Sequence, residues 1–522
     1  MKADPTPGIV TEKPHAAAIV IATVLTAFTL GLRLVRLGDL GLWYDEAFGL
    51  LIARMPWGEM NRTILLDVHP PLWFWLLHLW GTDSVLWARL FGVLLGAATV
   101  PAVWLAARRA VGEASALTAA GLLALHPIHV FYSQELRMYA LQGLLLAALI
   151  GVALRLLRRG PSVRRWAALS LLAWSALATQ HLGAAVVGGV WVGLFAASWF
   201  QIGRRWLLGW LLSGTAALAG VLPWLMTAEW HMVAGQRSSA PLGQRVLLDL
   251  VEGTQGIVRA TPWEWVGIPG GRLLWAMTWS ALLLALIVSG ARRLIADPER
   301  RRAGVFLAAT VLFSVLFLIS YEATGFLFFT RYCVILAVPS VILMGVALMR
   351  GPVWWRVAAT SLVVVMYLSH TAAVLRTEVR EVSTRLHHWI DERGGPDQAP
   401  PILVTNAFIA LPMRALLPGH DVRLIDRPTE TTNAQRAILG SEALVLQWPE
   451  EWGDGPIWLL LQAWGNPPFD RSRGFPRPDS TEITRRALAE MEALGHHPES
   501  VQLLRFEAIT GGFKWAALVE VR

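Results

Sequence analysis

The sequence predicts a mostly α-helical, polytopic membrane protein with about eleven transmembrane helices, followed by a C-terminal extracytoplasmic α/β domain. Three observations support this class. The 522 residues are 55% hydrophobic and 16% charged, with a mean hydropathy of +0.49, whereas soluble chains carry about 25% charged residues. Apolar stretches of spanning length recur up to residue 376 and then stop. The remainder alternates short apolar strands with helical segments.

The predicted spans follow the apolar stretches and divide the chain into a membrane domain, 1–376, and a second domain, 377–522. The first apolar stretch is long, and no small-residue cleavage site follows it, so we expect a retained anchor rather than a signal peptide. The predicted spans are 16–37, 84–107, 114–131, 138–157, 165–180, 182–200, 206–227, 272–291, 303–320, 331–349 and 353–375.

Arginine placement predicts the orientation. Pairs such as Arg108 with Arg109 and Arg204 with Arg205 fall in alternate loops, and positive loops face the cytoplasm. This puts the N-terminus in the cytoplasm and the chain from 377 onward on the outer side of the membrane. The net charge of +8 is therefore a topology signal, and we expect no nucleic-acid partner.

The C-terminal region has Pro-rich breaks and no spanning segment, which indicates a small α/β domain. We find no Gly-rich phosphate loop and no nucleophile elbow in its sequence. Strands are predicted at 402–404, 422–425, 457–461 and 515–521, and helices at 407–417 and 481–494.

The first outward motif, residues 42–48, follows span one and contains Tyr44, Asp45 and Glu46. One hypothesis makes Asp45 and Glu46 the catalytic candidates, as a base held at the membrane surface; the other is an interfacial helix cap within an aromatic belt. Adjacent carboxylates on a helix point about 100° apart, so only one can face a given cavity.

The second motif, Asp67 to Trp73, contains His69 directly before Pro70 and Pro71. Because proline suits the first turn of a helix, we expect an interfacial helix over 71–81, too short to span. His69 then lies on the same side as Asp45, where it either has a structural role or binds a phosphate or orients an acceptor.

The third motif, 129–139, places Tyr132, Gln134, Glu135, Arg137 and Tyr139 between two apolar spans. Polar side chains at membrane depth are costly and usually line a cavity, although Glu135 and Arg137 can also simply pair with each other.

A fourth element, Arg331 with Tyr332, opens span ten from the outside. An arginine there can grip a phosphate with two parallel hydrogen bonds, or can extend to the interface without any ligand. A divalent cation is a further possibility if the loops bring Asp45, Glu46 and Glu135 together.

In their order and spacing, these motifs resemble bacterial membrane glycosyltransferases of the type-C fold, in the superfamily of protein O-mannosyltransferases and lipid A aminoarabinose transferases. The resemblance covers residues 15–376 and implies a polyprenyl-phosphate-linked sugar donor in the bilayer. It implies an acceptor protein, lipid or glycan reached from outside, with Asp45 as the family's first-loop acidic residue. This chain has His69 where the aminoarabinose branch has a lysine, which leaves the identity of the donor sugar open.

The chemistry favours the same function. A polyprenyl phosphate is a good leaving group, so one carboxylate base for the acceptor hydroxyl suffices. Arg137 and Arg331 supply the positive charge that stabilises the leaving phosphate, and direct attack by the acceptor inverts the anomeric centre.

Two other functions remain open at this stage. A lipid or polysaccharide transporter or flippase would show internal repeats and broken helices near the bilayer midplane. A non-catalytic membrane scaffold would tolerate replacement of Asp45 by asparagine, whereas an enzyme would lose most of its turnover.

Overall fold

The computed structural model describes residues 15–227, 271–323, 330–376, 390, 400–404, 407–425, 433–439, 444–445, 457–464, 498–507 and 513–521. The first part of the chain forms eleven α-helices in this range. They are α1 (Ala16–Leu34), α2 (Tyr44–Arg54), α3 (Trp57–Leu65), α4 (Leu72–Trp80), α5 (Val85–Val111), α6 (Glu113–Leu125), α7 (Pro127–Ser133), α8 (Tyr139–Arg159), α9 (Val163–Thr179), α10 (Ala184–Ser198) and α11 (Arg204–Thr227).

Later helices complete the membrane region and begin the C-terminal one. They are α12 (Gly271–Ala296), α13 (Arg301–Ala323), α14 (Ala337–Met349), α15 (Val353–Arg376), α16 (Ala407–Leu416) and α17 (Asn433–Leu439). Short 3-10 segments occur at His181–Gly183, Trp199–Gln201 and Thr330–Leu336.

Within the described ranges, eight helices are long and apolar enough to cross a membrane, or up to nine if the bent pair of α6 and α7 counts as one span. This confirms the predicted polytopic class. A helix coincides with every predicted span, but α9, at 17 residues, and α15 are not among these eight or nine. The count of about eleven spans therefore stays a prediction.

The bend between α6 and α7 measures 59° and has a local cause. Pro127 is the first residue of α7, and His126 before it has the extended backbone that a following proline favours. The bend ends α6 and starts a short helix whose exit leads to the loop 134–138, which carries the third sequence motif.

Three short helices, α2 to α4, lie between the first two long ones. Each has 9 to 11 residues, too short to span a bilayer. A proline precedes two of them, Pro56 before α3 and Pro71 before α4. Helix α4 coincides with the short helix predicted over 71–81. At the end of α4, Gly81 adopts φ +99°, which an L side chain rarely adopts.

The C-terminal part contains one sheet with the strand order β3-β2-β1-β4-β6-β5. Strands β1 to β4 pair in parallel, whereas β6 is antiparallel to β4 and β5. The strands are β1 (Ile402–Val404), β2 (Val422–Ile425), β3 (Leu444–Val445), β4 (Ile457–Trp464), β5 (Pro498–Glu507) and β6 (Phe513–Val521).

The four predicted strands are present, but β3 and β5 were not predicted. β5 alternates charged and apolar residues at an edge of the sheet, and no continuous apolar run marks it. The predicted helix 481–494 lies outside the described residues. The division at residue 376 stays a prediction.

The C-terminal part packs on the short helices. Buried apolar residues of α16 and β1, such as Leu411 and Ile402, form one cluster with Phe48 and Leu50 of α2. Gln435 on α17 also donates a hydrogen bond of 2.7 Å from Nε2 to the Tyr44 hydroxyl. The start of α2 therefore lies between the helical bundle and the C-terminal part.

Candidate functional site

Asp45 lies in the first turn of α2 and faces two arginines. Its Oδ2 accepts a hydrogen bond of 2.9 Å from Nη1 of Arg331 and lies 3.8 Å from Nη2 of Arg137. Arg137 also donates at 3.3 Å to the Asp45 backbone carbonyl. The side chain of Asp45 is 16% exposed and that of Arg137 only 3%. One carboxylate is thus held by two cations with limited access to solvent.

The two arginines come from segments that are distant in sequence. Arg137 lies in the loop just before α8, and Arg331 lies in the 3-10 segment that leads into α14. The guanidinium of Arg331 lies 5.5 Å from the Trp43 ring centroid and 5.9 Å from that of Tyr332. These aromatic faces stabilise the cation and restrict its position.

His69 extends the arrangement on the other side of Arg137. Its Nε2 lies 3.0 Å from Nη2 of Arg137, and its Nδ1 lies 2.7 Å from Oδ2 of Asp67. We call Asp45, Asp67, His69, Arg137 and Arg331 the polar cluster. Sequence inspection did not select Asp67, although a carboxylate two residues before a histidine was visible as a signal.

The charges of the cluster determine the acidity of its carboxyl groups. Burial alone would raise the pKa of Asp45, but the positive charges of Arg137 and Arg331 outweigh it and hold that pKa below its ordinary value. Burial likewise opposes ionisation of Asp67, and contact with His69 lowers its pKa overall. Both carboxyl groups are therefore ionised at neutral pH.

Glu46 lies apart from the polar cluster. It is fully buried and forms a two-pronged ion pair with Arg89, with distances of 2.9 Å from Nε to Oε1 and 2.7 Å from Nη2 to Oε2. Its Oε1 also accepts the backbone N–H of Leu136 at 2.8 Å. With both oxygens engaged in these contacts, Glu46 anchors the loop that carries Arg137. Its catalytic role stays a prediction, and these contacts disfavour it.

Arg89 was not selected from the sequence, since it stands among apolar residues of a predicted span. It is 1% exposed and donates at 2.6 Å to the Leu40 carbonyl and at 2.9 Å to the Gly41 carbonyl, in the segment before α2. An arginine inside an apolar helix was itself a signal of a buried partner.

Gln134 also differs from its predicted binding role. Its amide donates to the backbone carbonyls of Arg33 and Val35 at 3.0 and 2.8 Å, and so satisfies the end of α1. Glu135 is buried, with 2% exposure, and its backbone carbonyl accepts the N–H of Arg137 at 2.8 Å. The third motif thus contributes Arg137 to the cluster, while Gln134 fixes the loop.

Three tyrosines of the predicted site lie beside the cluster. The rings of Tyr132 and Tyr139 are in contact, with centroids 4.7 Å apart and planes tilted by 54°, and Tyr139 is 1% exposed. Tyr332 faces Arg331, as described above. The fourth, Tyr44, precedes Asp45 and binds Gln435; burial raises its pKa, so its hydroxyl stays protonated.

A second buried polar group involves Arg33 near the end of α1. Its Nη2 lies 2.8 Å from Nδ1 of His129, and its Nη1 donates to the Ala124 carbonyl at 3.2 Å. This contact ties α1 to the bent α6–α7 pair. It is separate from the polar cluster and was not predicted.

Among the described residues, no group of three or more His, Cys, Asp or Glu side chains is placed to hold a metal ion. Asp45, Glu46 and Glu135 do not form such a group, because the Glu46 carboxylate is directed to Arg89.

Comparison with known proteins yields structural matches only. No protein-family model and no curated protein sequence matches the chain. The crystal structure of ArnT from Cupriavidus metallidurans bound to undecaprenyl phosphate is similar, with a TM-score of 0.58 and 17% identity over 96% of this chain and 98% of that chain. Its apo structure gives a TM-score of 0.59 and 16% identity over the same shares. The chain has the glycosyltransferase type-C fold.

This match confirms the predicted type-C fold of the membrane region. The oligosaccharyltransferase AglB from Archaeoglobus fulgidus is also matched, with 11% identity and a TM-score of 0.47 over 85% of this chain and 69% of that chain. At 16–17% identity the likeness to ArnT establishes the fold alone, and the roles of residues depend on the geometry of the polar cluster.

Proposed function

We propose that this type-C protein is a membrane glycosyltransferase that moves a sugar from a polyprenyl-phosphate donor to a hydroxyl of an extracytoplasmic acceptor. One observation carries the proposal: a single carboxylate, Asp45, is held between the buried Arg137 and the partly exposed Arg331 at the edge of an apolar helical bundle. The supporting context is the fold shared with ArnT, which binds undecaprenyl phosphate.

In this mechanism, Arg137 and Arg331 bind the donor phosphate. Two guanidinium groups that meet at one point match a phosphate monoanion or dianion, to which they can donate several charge-assisted hydrogen bonds. They also stabilise the negative charge that develops on the phosphate as the bond to the sugar breaks. His69, bound to Arg137, contributes to the position of that guanidinium.

Asp45 accepts the proton of the attacking hydroxyl. The acceptor oxygen forms a bond to the anomeric carbon, the bond between that carbon and the phosphate oxygen breaks, and polyprenyl phosphate leaves with the electron pair. A single displacement of this kind inverts the anomeric centre. Only one carboxylate is needed because the leaving phosphate needs no protonation.

The contacts of Asp45 link donor binding to this role. In the structure the Asp45 carboxylate occupies the same guanidinium donors that a phosphate would use. A bound phosphate therefore competes with Asp45 for Arg137 and Arg331. As these cations move toward the phosphate, the pKa of Asp45 rises from its lowered value and the carboxylate becomes a better base.

An apolar cavity, lined in part by the segment that carries Arg331, suits a part of the donor's lipid chain. It has a volume of about 210 Å³ and lies among α12, α13, α14 and α15. Cys333 and Leu336, from the 3-10 segment that carries Arg331, line it. A prenyl chain in this cavity would place its phosphate toward Arg331, and the burial of its isoprene units would contribute most of the lipid affinity.

We place the site on the outer side of a bacterial inner membrane, with the N-terminus in the cytoplasm and the C-terminal domain, 377–522, outside. Arginine pairs in alternate loops support this orientation. The C-terminal domain then lies beside α2, where an acceptor protein, lipid or glycan would approach Asp45.

The direct test is a transfer assay with the purified full chain in nanodiscs. Polyprenyl-phosphate [14C]mannose and polyprenyl-phosphate aminoarabinose serve as donors, and solubilised bacterial envelope serves as the acceptor source. We expect labelled acceptor and free polyprenyl phosphate with the wild type, and less than about 1% of that rate with Asp45→Asn.

The matched control is Asp39→Asn, which removes an exposed carboxylate in the segment before α2; Asp39 pairs with Arg36 at 3.1 Å, outside the cluster. It should keep wild-type transfer. Full transfer by a folded Asp45→Asn protein would contradict the role of Asp45 as base, and binding of these donors without transfer would contradict the enzymatic function.

A further inference from the structure

The loop between α3 and α4 contains a pair of hydrogen bonds between Asp67 and His69 that have no role in the proposed mechanism. The side chain of Asp67 is only 14% exposed. Asp67 contacts His69, which in turn contacts Arg137. Its Oδ2 accepts two hydrogen bonds from the same residue: one from the His69 backbone N–H at 3.2 Å and one from the ring Nδ1 at 2.7 Å.

The hydrogen-bond partners determine the tautomer of His69. A carboxylate is only an acceptor, so Nδ1 must carry the proton that it shares with Asp67. A guanidinium is only a donor, so Nε2, which lies 3.0 Å from Nη2 of Arg137, must offer its lone pair. His69 is therefore the neutral Nδ1–H tautomer, and a proton on Nε2 would face the N–H of Arg137.

The loop is built to hold this arrangement. The bond from the His69 backbone N–H to Asp67 closes a turn in which an aspartate side chain binds the backbone two residues on. Pro70 and Pro71 follow at once and restrict the backbone up to α4. Both the backbone and the ring of His69 are thus set by one carboxylate.

We propose that Asp67 is a positioning residue for the donor phosphate, acting through the tautomer of His69 on the orientation of Arg137. The order of contacts runs from Asp67 to His69, from His69 to Arg137, and from Arg137 to the point now occupied by Asp45. Arg137 is 3% exposed, so its guanidinium plane is set by these contacts rather than by water. The expected effect on donor binding rests on the proposed function, whereas the tautomer of His69 follows from its hydrogen-bond partners alone.

The proposal makes a specific claim about coupling. A glutamine at position 69 offers an oxygen acceptor to Arg137 without any tautomer to control. The effect of removing Asp67 should therefore depend on the presence of the histidine ring. A purely structural role of Asp67 in the loop would act equally with either residue at position 69.

The experiment is a double-mutant cycle on the full chain in nanodiscs, with undecaprenyl phosphate as the binding probe. We expect Asp67→Ala to weaken binding about 5- to 10-fold, and Asp67→Asn, whose amide oxygen can still accept the Nδ1 proton, to weaken it less than about 2-fold. In the His69→Gln background, Asp67→Ala should cost less than about 2-fold. Equal losses in both backgrounds, or no loss in either, would overturn the proposal.

Two further measurements keep the outcome decisive. In the transfer assay, the loss for Asp67→Ala should appear in KM for the donor more than in kcat. Nitrogen NMR of histidine-labelled protein, with the His69 signal identified by its loss in His69→Gln, should show Nδ1–H in the wild type and in Asp67→Asn, but not in Asp67→Ala.

The NMR result needs no donor. If neither the wild type nor any variant bound undecaprenyl phosphate, the proposed function would fail. An Nε2–H signal for His69 in the wild type would by itself overturn the positioning role of Asp67. Asp297→Ala is the matched control, because Asp297 accepts the backbone N–H of Glu299 at 3.2 Å in the same kind of turn, between α12 and α13, and pairs with Arg350 rather than with a residue of the cluster. Asp297→Ala should change neither the affinity for undecaprenyl phosphate nor the nitrogen NMR signal of His69.

Discussion

Replacement of Asp45 by asparagine should tighten the binding of polyprenyl phosphate while it abolishes transfer. Asp45 and the donor phosphate compete for the same two guanidinium groups, so the removal of the carboxylate charge removes an internal competitor. Most substitutions of a site residue weaken ligand binding, so this opposite sign is diagnostic of the competition.

The contacts of Asp45 determine the expected gain in affinity for polyprenyl phosphate. Asp45 makes one charge-assisted hydrogen bond of 2.9 Å to Arg331 and a weaker contact of 3.8 Å to Arg137. Hydrogen bonds to charged groups contribute about 1.5–3 kcal/mol, and because both side chains of the shorter pair are partly exposed, at 17% and 16%, we take about 1–2 kcal/mol. This corresponds to about 5- to 30-fold tighter binding.

Isothermal titration calorimetry with undecaprenyl phosphate, on protein in nanodiscs, measures this affinity directly. Asp45→Ala serves as a second variant, because it removes the carboxylate without leaving an amide to bind the arginines, and it should shift the affinity in the same direction. Asp39→Asn should leave the affinity unchanged. Unchanged or weaker binding by both Asp45 variants would refute the competition.

Three further predictions follow from neighbouring contacts. Arg331→Lys should weaken undecaprenyl phosphate binding about 5- to 10-fold in the same titration, because a lysine cannot offer the planar fork of donors; equal affinity would show that the phosphate binds elsewhere. Glu46→Ala should destabilise the fold by about 3–5 kcal/mol, seen as a lower Tm, because it leaves the buried charge of Arg89 unpaired; an unchanged Tm would contradict the anchoring role. The lowered pKa of Asp67 means that its ionised form stabilises the fold at neutral pH and that this contribution is lost as pH falls from about 4 downward. The Tm difference between wild type and Asp67→Asn should therefore shrink between pH 6 and pH 3, and a constant difference would exclude an ionic contribution.

The polar residues of this chain divide according to how far their partners lie along the sequence. Asp45, His69, Arg137 and Arg331 were selected because charged or titratable side chains stand beside apolar spans, where only a partner or a ligand offsets their cost. The local sequence did not, however, identify the partner of each of these side chains. Arg331 meets Asp45 across 286 positions, and nothing local marks that contact.

Glu46 and Gln134 illustrate the limit more sharply. Both stand inside polar motifs and look like site residues, yet the fold uses them to satisfy Arg89 and the end of α1. A buried polar group must have a hydrogen-bond partner whether or not it takes part in chemistry, so polarity in an apolar segment does not distinguish the two uses.

The sequence by itself determined the class of the protein: a bundle of apolar helices, with a short helix after Pro71. These follow from local composition and periodicity, because a bilayer requires long apolar helices and proline punctuates them. Only the tertiary structure decided which charges meet. It separated Asp45 from Glu46 by their directions around one helical turn and recruited Asp67 through His69, because ion pairs and hydrogen bonds depend on distances of a few ångströms between segments that the sequence keeps far apart.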